Sequence, residues 1–318
     1  MRNLPVTWQE GASLLGTVTR KRGAAGRLLC CNSRHCAERV RATPKDMQAP
    51  QALPAEVEHL NRLVDLLRDR APNEFEVRSI ENGLKRLIEQ GKARDMAAAY
   101  TGLSMAKMLR ADTAAAVAAA RNAVRLAPYD TALKTNLLTT FLNVGENDAA
   151  SEFADRCYEG AKGHARLLTA IASTYVSTYR PEDAIRTIDE LSKIADHVPG
   201  APRKLGTKSI QASIERRANF GYSGAQLREL FNAAVIALRD FDGVGPLRYT
   251  SVTTDDGLVV HHFHLLQSAE VCAEYDWRLV DRLVESFERL GEEVVTFSCL
   301  PLSAYFDLNE DVLARAPA

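Results

Sequence analysis

Three closely spaced histidines are the residues of this 318-residue chain best suited to chemistry, in the run His261-His262-Phe263-His264. The β-branched and aromatic residues around them favour a β-strand, and side chains two residues apart on a strand point to the same face. His262 and His264 therefore share a face, where two imidazoles and a nearby carboxylate could bind a metal ion. No H-E-x-x-H or comparable metal-binding motif accompanies them.

The same pattern also fits an ordinary half-buried sheet. If Val259, Phe263 and Leu265 face the core, we expect His262 and His264 to face solvent. We therefore interpret the two histidines first as part of an exposed polar surface. A contact with a partner and a metal-binding or hydrolytic site remain alternatives.

A second group of potential ligands lies near the amino terminus, where His35 stands among Cys30, Cys31 and Cys36. Three thiolates and one imidazole can bind zinc, but adjacent cysteines do not form the usual C-x₂-C chelating loop and no second pair follows. We expect buried free thiols at the remaining three cysteines, which lie singly in apolar surroundings: Cys157, Cys272 and Cys299. This cysteine usage is typical of a reducing cytoplasm.

Recognisable enzyme motifs are missing from the chain. It contains no P-loop G-x-x-x-x-G-K-[ST], no G-x-G-x-x-G between a strand and a helix, and no G-x-S-x-G nucleophile motif. The acidic pairs Asp255-Asp256 and Glu292-Glu293 lie at predicted turns, whereas a catalytic pair would need an apolar setting to separate the two pKa values. The sequence therefore predicts a non-enzymatic protein without a cofactor.

The elements that make up most of the chain repeat with a period of 34 residues. From Glu56 to about Asp240, apolar residues recur at the three- and four-residue spacing of amphipathic helices. Ala116, Ala150 and Ala184 lie 34 residues apart. The same shift superposes three further sets: Leu103, Leu137 and Ile171; Ala120, Ala154 and Ile188; and Ala123, Cys157 and Leu191. Each unit is predicted to be two helices with a short break between them.

This pattern resembles the tetratricopeptide repeat, a family of 34-residue helix-turn-helix units, over residues 97–198. Residues typical of the family occupy matching positions in three units: Tyr100, Leu103, Ser104, Ala116, Ala123 and Pro128; Leu137, Phe141, Gly145 and Ala150; and Ile171, Ala172, Tyr175 and Ala184. The chain departs from the family where Leu138 replaces a small residue, and where Ala120 and Ala154 replace an aromatic one.

The resemblance implies a right-handed α-α superhelix that acts as a scaffold, adaptor or co-chaperone and binds another protein or peptide in a concave groove. The first helix of each unit lines such a groove, which would here contain Thr101, Met105, Met108, Thr135, Asn136, Thr139, Leu142, Asn143, Arg166, Thr169, Ser173 and Ser177. This lining is nearly uncharged and mildly apolar, which suits an extended or helical peptide. Alternatively, the first helices or the tail after Asn309 fill the groove.

The last part of the chain is predicted to be a small α+β domain with the order β-β-α-β. Leu247–Thr254 and Leu258–Leu266 form two strands joined by a turn at Asp256-Gly257. A helix ending at Gly291 and a third strand, Val294–Cys299, complete it. The expected fold class is thus mainly α, with a tetratricopeptide-like domain at 55–241, the α+β domain at 246–302 and a tail at 303–318.

Positive charge is concentrated at the amino terminus. Residues 1–50 hold nine Lys and Arg against three Asp and Glu, whereas the remaining chain holds 31 against 38. This basic arm fits a disordered segment, an organelle transit peptide, or a non-native extension ahead of a start at Met47. Nucleic-acid binding through the arm is an alternative that the acidic remainder disfavours. No apolar run is long enough for a membrane helix.

The sequence leaves the partner and the oligomeric state open, a homodimer included. Its abundant Ala and Arg are typical of a GC-rich bacterial source. Together with the cysteine usage, this composition favours a bacterial protein of the cytoplasm.

Overall fold

A computed structural model describes residues 53–66, 73–195, 207–241, 248–302 and 304 of the chain. Within these ranges the protein is mainly helical, as predicted, with eleven α-helices and one three-stranded sheet. The ten helices that precede the sheet are α1 (Ala55–Leu66), α2 (Glu74–Glu89), α3 (Met96–Leu109), α4 (Thr113–Leu126), α5 (Thr131–Asn143), α6 (Asn147–Tyr158), α7 (Ala165–Ser177), α8 (Pro181–Ala195), α9 (Thr207–Phe220) and α10 (Gly224–Asp240). The basic arm and most of the tail lie outside the described residues.

Helices α3 to α8 form three pairs that repeat every 34 residues. The second helices of the pairs begin at Thr113, Asn147 and Pro181. The first helices are each followed by a residue in the left-handed region: Ala111 (φ 55°), Gly145 (φ 75°) and Tyr179 (φ 57°). In each pair the next residue donates its N–H to the carbonyl five residues back, as in a Schellman motif. The period of the sequence is therefore also the period of the helices and of their turns.

Small residues let the two helices of each pair approach closely. Ala116, Ala150 and Ala184 are completely buried. The hydroxyl of Ser104 on α3 donates a hydrogen bond of 2.8 Å to the carbonyl of Ala116 on α4. Because a larger side chain at such a site would overpack the contact, the alanine spacing in the sequence marks where helices meet.

Lys107 stands where the other two pairs carry an aromatic residue, and it meets a buried carboxylate there. Glu81 on α2 is only 1% exposed, and its carboxylate lies 3.0 Å from the Lys107 ammonium. Arg110 and Lys85 approach the same carboxylate to 2.6 and 2.7 Å. Burial raises the pKa of Glu81, but hydrogen bonds from these three cations together lower it to about 2. This ion cluster joins α2 to the first repeat.

The predicted β-β-α-β segment is present, with bounds that differ by a few residues: β1 (Arg248–Thr253), β2 (Val259–Leu265), α11 (Ala269–Ser286) and β3 (Val295–Pro301). β1 and β2 form an antiparallel hairpin, and β3 lies parallel to β2 on its other side. The parallel pairing requires a crossover, which α11 supplies. Ser251, His261 and Phe297 are direct neighbours across the three strands.

The helical repeats and the sheet share one hydrophobic core. Phe231 and Leu238 enter it from α10, Phe263 enters it from β2, and Tyr179 enters it from the third repeat. Residues of α11 complete this core on the same sheet. The core therefore contains residues from both sides of the domain boundary that the sequence predicts.

Gly145 shows how closely α10 packs on the repeats. A Cβ at this position would lie 2.4 Å from Cγ1 of Val235 on α10. Gly91, which follows α2 with a φ of 59°, has nothing within 4 Å of such a Cβ. The two glycines therefore share a left-handed backbone but differ in the space around them.

Alanine substitutions at these glycines test the packing of α10. Gly91→Ala should lower the free energy of unfolding by about 1 kcal/mol, from backbone strain alone. Gly145→Ala should lower it by about 2–4 kcal/mol, because overpacking against Val235 adds to the strain. Urea unfolding measures both losses, and equal losses would contradict the close contact between α10 and the second repeat.

Candidate functional site

Most of the twelve residues predicted to line a groove lie inside the helix packing. Seven are buried, namely Thr101, Met105, Met108, Thr135, Asn143, Thr169 and Ser177. Four are half-buried, namely Asn136, Thr139, Leu142 and Ser173, and Arg166 is exposed. The accessible part of the predicted lining is therefore restricted to five side chains on α5 and α7.

The buried threonines use their hydroxyls within their own helices. Thr101, Thr135 and Thr169 donate hydrogen bonds of 2.8, 2.9 and 2.8 Å to the carbonyl four residues back. Thr139 does the same at 3.0 Å. Because these bonds satisfy the hydroxyl donors without a ligand, the threonines mainly support the packing of the first helices.

The chain itself covers the carboxyl-terminal ends of α5 and α7. Leu142 packs against the core that α10 shares with the sheet, and Arg239 of α10 donates a hydrogen bond to the carbonyl of Val144. On α7, the buried Ser177 lies beside the phenol of Tyr249 on β1. This end of the predicted groove is thus filled by α10 and β1 rather than by the first helices. The tail after Asn309 lies outside the described residues.

The imidazole of His261 fixes the sheet to the repeats and is completely buried. The phenol of Tyr179, at the end of α7, hydrogen bonds with Nε2, and the phenol of Tyr249 hydrogen bonds with Nδ1. The ring centroids of Phe231 and Phe297 lie 4.9 and 5.4 Å from that of the imidazole. One side chain therefore contacts the third repeat, α10 and both neighbouring strands.

His261 is held in its neutral form. Burial lowers the pKa of His261 to about 3, and the charge of neighbouring His262 acts in the same direction. Because a neutral imidazole has one N–H and one lone-pair nitrogen, one tyrosine accepts a hydrogen bond and the other donates one. Burial also raises the pKa of Tyr179 and of Tyr249. The group is uncharged and hydrogen bonded at both ring nitrogens, which suits a structural contact rather than proton transfer.

No sequence motif identifies Tyr179, although the repeat period contains a signal for it. Tyr179 is equivalent to Ala111 and Gly145 and shares their left-handed backbone, which costs a residue with a side chain about 1–2 kcal/mol. A bulky residue in this conformation needs a compensating interaction, and the hydrogen bond to His261 provides one. Tyr249 carries no comparable signal.

His262 and His264 share one face of β2, as predicted, with ring centroids 6.4 Å apart. The expectation that both face solvent is wrong for His264, which is completely buried. Its Nε2 lies 3.0 Å from Oγ1 of Thr250 on β1, and this polar partner compensates for burial. His262 is half-buried, and its Nδ1 lies 2.6 Å from Oγ of Ser298 on β3. Among the described residues, no group of three or more His, Cys, Asp or Glu side chains could hold a metal ion.

The three isolated cysteines are buried free thiols, as predicted. Burial raises the pKa of Cys157, and burial together with nearby Asp276 raises the pKa of Cys272 and of Cys299. Such thiols are poor nucleophiles because the thiolate is the reactive form. The group of cysteines around His35 lies outside the described residues.

Comparisons with known protein families, with curated proteins and with solved structures found no match for this chain. No helix in the described ranges is both long enough and apolar enough to span a membrane.

The neutral state of His261 makes the fold sensitive to acid. In the unfolded chain the imidazole has its usual pKa near 6.5. Below that pH, the unfolded state takes up a proton that the folded state does not accept until about pH 3. Stability is therefore lost as the pH falls from 6.5 towards 3, and His261 accounts for about 2 kcal/mol of the loss between pH 7 and pH 5.

His261→Gln tests this acid sensitivity, because glutamine keeps one hydrogen-bond donor and one acceptor but takes up no proton. Urea unfolding at pH 7 and pH 5 should show an acid loss smaller than that of the wild type by about 2 kcal/mol. His262→Gln, at the half-buried neighbouring position, is the control and should change the acid loss less. An acid loss unaffected by His261→Gln would contradict the buried neutral state.

Proposed function

We propose that the protein is a non-enzymatic binding module whose helical repeats hold a segment of another polypeptide. The observation that carries this proposal is the recurrence of helix starts and left-handed helix ends at 34-residue intervals through α3 to α8. Stacked helix pairs of this kind present an extended surface built from successive units. A right-handed superhelix of the tetratricopeptide type, used as an adaptor, scaffold or co-chaperone, is the architecture that fits this period best.

The accessible side chains define what such a surface would bind. Asn136 and Thr139 on α5 and Ser173 on α7 are half-buried, and Arg166 on the first turn of α7 is exposed. The hydroxyl oxygen of Ser173 is buried, and Thr139 donates its hydroxyl within α5. The amide of Asn136 and the guanidinium of Arg166 are therefore the groups that would hydrogen bond with the backbone and the carboxylates of an extended peptide. Because Arg166 is the one cation among the twelve predicted lining residues, the surface suits a polar peptide that is at most weakly acidic.

The two alternative functions have less support. A metal-binding or hydrolytic site at His262 and His264 would use imidazoles that already hydrogen bond within the sheet. Nucleic-acid binding would depend on the basic arm, which lies outside the described residues. Polypeptide binding therefore remains the favoured function.

Charge substitutions at accessible positions test the proposed surface. Asn136→Glu and Arg166→Glu each place a carboxylate there without entering the core, whereas Asn143 is too buried for such a change. Arg125→Glu, on the exposed side of α4, makes the same charge change as Arg166→Glu but on the second helix of a pair. Partners are recovered from the source cell by affinity purification and quantified by mass spectrometry.

We expect the wild type and Arg125→Glu to recover the same polypeptide stoichiometrically. Recovery of that polypeptide should fall about tenfold with Arg166→Glu. Loss of one charge-assisted hydrogen bond accounts for a decrease of this size. Asn136→Glu should also lower recovery, because it removes an amide donor. Circular dichroism confirms that each variant is folded, and equal recovery by all four proteins would contradict the proposed surface.

A further inference from the structure

The outer edge of β3 is reached by solvent, whereas the hairpin at the other side of the sheet packs against a helix. A Cβ at Gly257, in the hairpin turn, would lie 2.3 Å from the carbonyl oxygen of Ala212 on α9. On β3, Thr296 is exposed and Ser298 is half-buried. An accessible edge strand carries N–H and C=O groups that can pair with a strand of another chain. The β3 edge therefore needs protection if the chain is not to associate through it.

The parallel ladder shows which backbone groups of β3 point away from the sheet. Val259 on β2 donates its N–H to the carbonyl of Val294 at 2.9 Å. Alternate residues of a strand direct their backbone groups to the same neighbour, so Thr296, Ser298 and Leu300 also face β2. The residues between them direct their backbone groups outward, namely Val295, Phe297, Cys299 and Pro301.

Three of these four outward positions have no N–H to offer another strand. Val295 donates its N–H to the carbonyl of Gly291 at 2.8 Å, and Pro301 has no N–H. Cys299 donates its N–H to Oδ1 of Asp276 on α11 at 2.5 Å. Among the described residues, none accepts the N–H of Phe297. A strand approaching this edge would therefore find a single donor.

Asp276 occupies an unfavourable position for a carboxylate. Its side chain is half-buried, and burial raises the pKa of Asp276 more than the hydrogen bond from Cys299 lowers it. No cation in the described part of the chain forms an ion pair with this carboxylate. Because a partly buried charge is costly unless it is compensated, packing alone does not explain the residue. The N–H of Cys299 is the group that Asp276 serves.

We propose that Asp276 caps the β3 edge and keeps it from pairing with β3 of a second copy. Without the carboxylate, Phe297 and Cys299 would present two outward N–H groups two residues apart, which is the spacing at which an antiparallel neighbour pairs. A second copy is the occupant that fits, because it presents the same two groups about a twofold axis and the contact closes as a dimer. This inference does not depend on the proposed binding function.

Hydrogen exchange of the wild-type chain, measured amide by amide with NMR, tests the cap without any variant. The Cys299 amide should exchange at least about tenfold more slowly than the Phe297 amide, because its hydrogen bond to a charged acceptor must open first. Equal exchange of the two amides would overturn the proposal.

Asp276→Ala removes the cap, and Asp281→Ala removes the same charge from an exposed position of the same helix. In concentrated solution, light scattering should give Asp276→Ala about twice the mass of the wild type, whereas Asp281→Ala should keep the wild-type mass. Asp276→Asn retains a side-chain oxygen as an acceptor and should also keep that mass. Circular dichroism confirms that each variant is folded.

Hydrogen exchange of Asp276→Ala then locates the contact between the two copies. On dilution, its Cys299 amide should exchange at least about tenfold faster than in the wild type. In concentrated solution, the Phe297 and Cys299 amides should both become protected.

Two results with the variants would overturn the proposal. The first is a folded Asp276→Ala protein whose mass equals that of Asp281→Ala at every concentration. The second is a larger mass of Asp276→Ala without protection of the Phe297 and Cys299 amides, which would place the association on another surface.

Discussion

The burial of one neutral imidazole, that of His261, is the interaction on which the rest of the structure depends. A buried imidazole needs a hydrogen-bond partner at each nitrogen, and here the two partners come from different parts of the chain. Tyr179 belongs to the turn after α7, and Tyr249 belongs to the first strand of the hairpin. Because both phenols must reach the same ring, the sheet can join the repeats in one orientation only.

This constraint also decides which part of the predicted groove stays accessible. Placing the sheet beside the third repeat brings α10 over the turn at Gly145 and brings Tyr249 to Ser177. The carboxyl-terminal ends of α5 and α7 are then part of the protein's own core. What stays accessible is a short polar surface on the earlier turns of these helices, with Arg166 as its charged residue. Under the proposed function, a peptide binds this surface by hydrogen bonds.

The sequence predicts the parts of the fold that depend on local pattern. The spacing of Ala116, Ala150 and Ala184 reveals the helix pairs, because every close helix contact needs a small residue. The turn at Asp256-Gly257 reveals the hairpin, because this dipeptide favours a left-handed backbone. Both patterns reflect physical requirements that act within a few residues or one repeat.

The features that sequence reasoning misses depend on partners far apart in the chain. His264 is buried because Thr250 hydrogen bonds with it across the hairpin. Lys107 departs from the aromatic pattern because it meets Glu81 on α2. Most of the predicted groove residues are buried for a similar reason, since neighbouring helices and the chain's own sheet pack over them. A spacing rule places a residue on a helix but does not reveal what that residue packs against.

If the repeats and the sheet share one core, they should unfold together. Native-state hydrogen exchange gives the free energy of opening separately for the backbone amides of β2 and for those of α7. The two free energies should be equal, because both groups of amides exchange only when the whole shared core unfolds. Tyr179→Phe removes the phenol hydrogen bond to Nε2 of His261 and should lower both free energies by the same amount. A free energy of opening for β2 well below that for α7, or one that falls alone in Tyr179→Phe, would contradict the shared core.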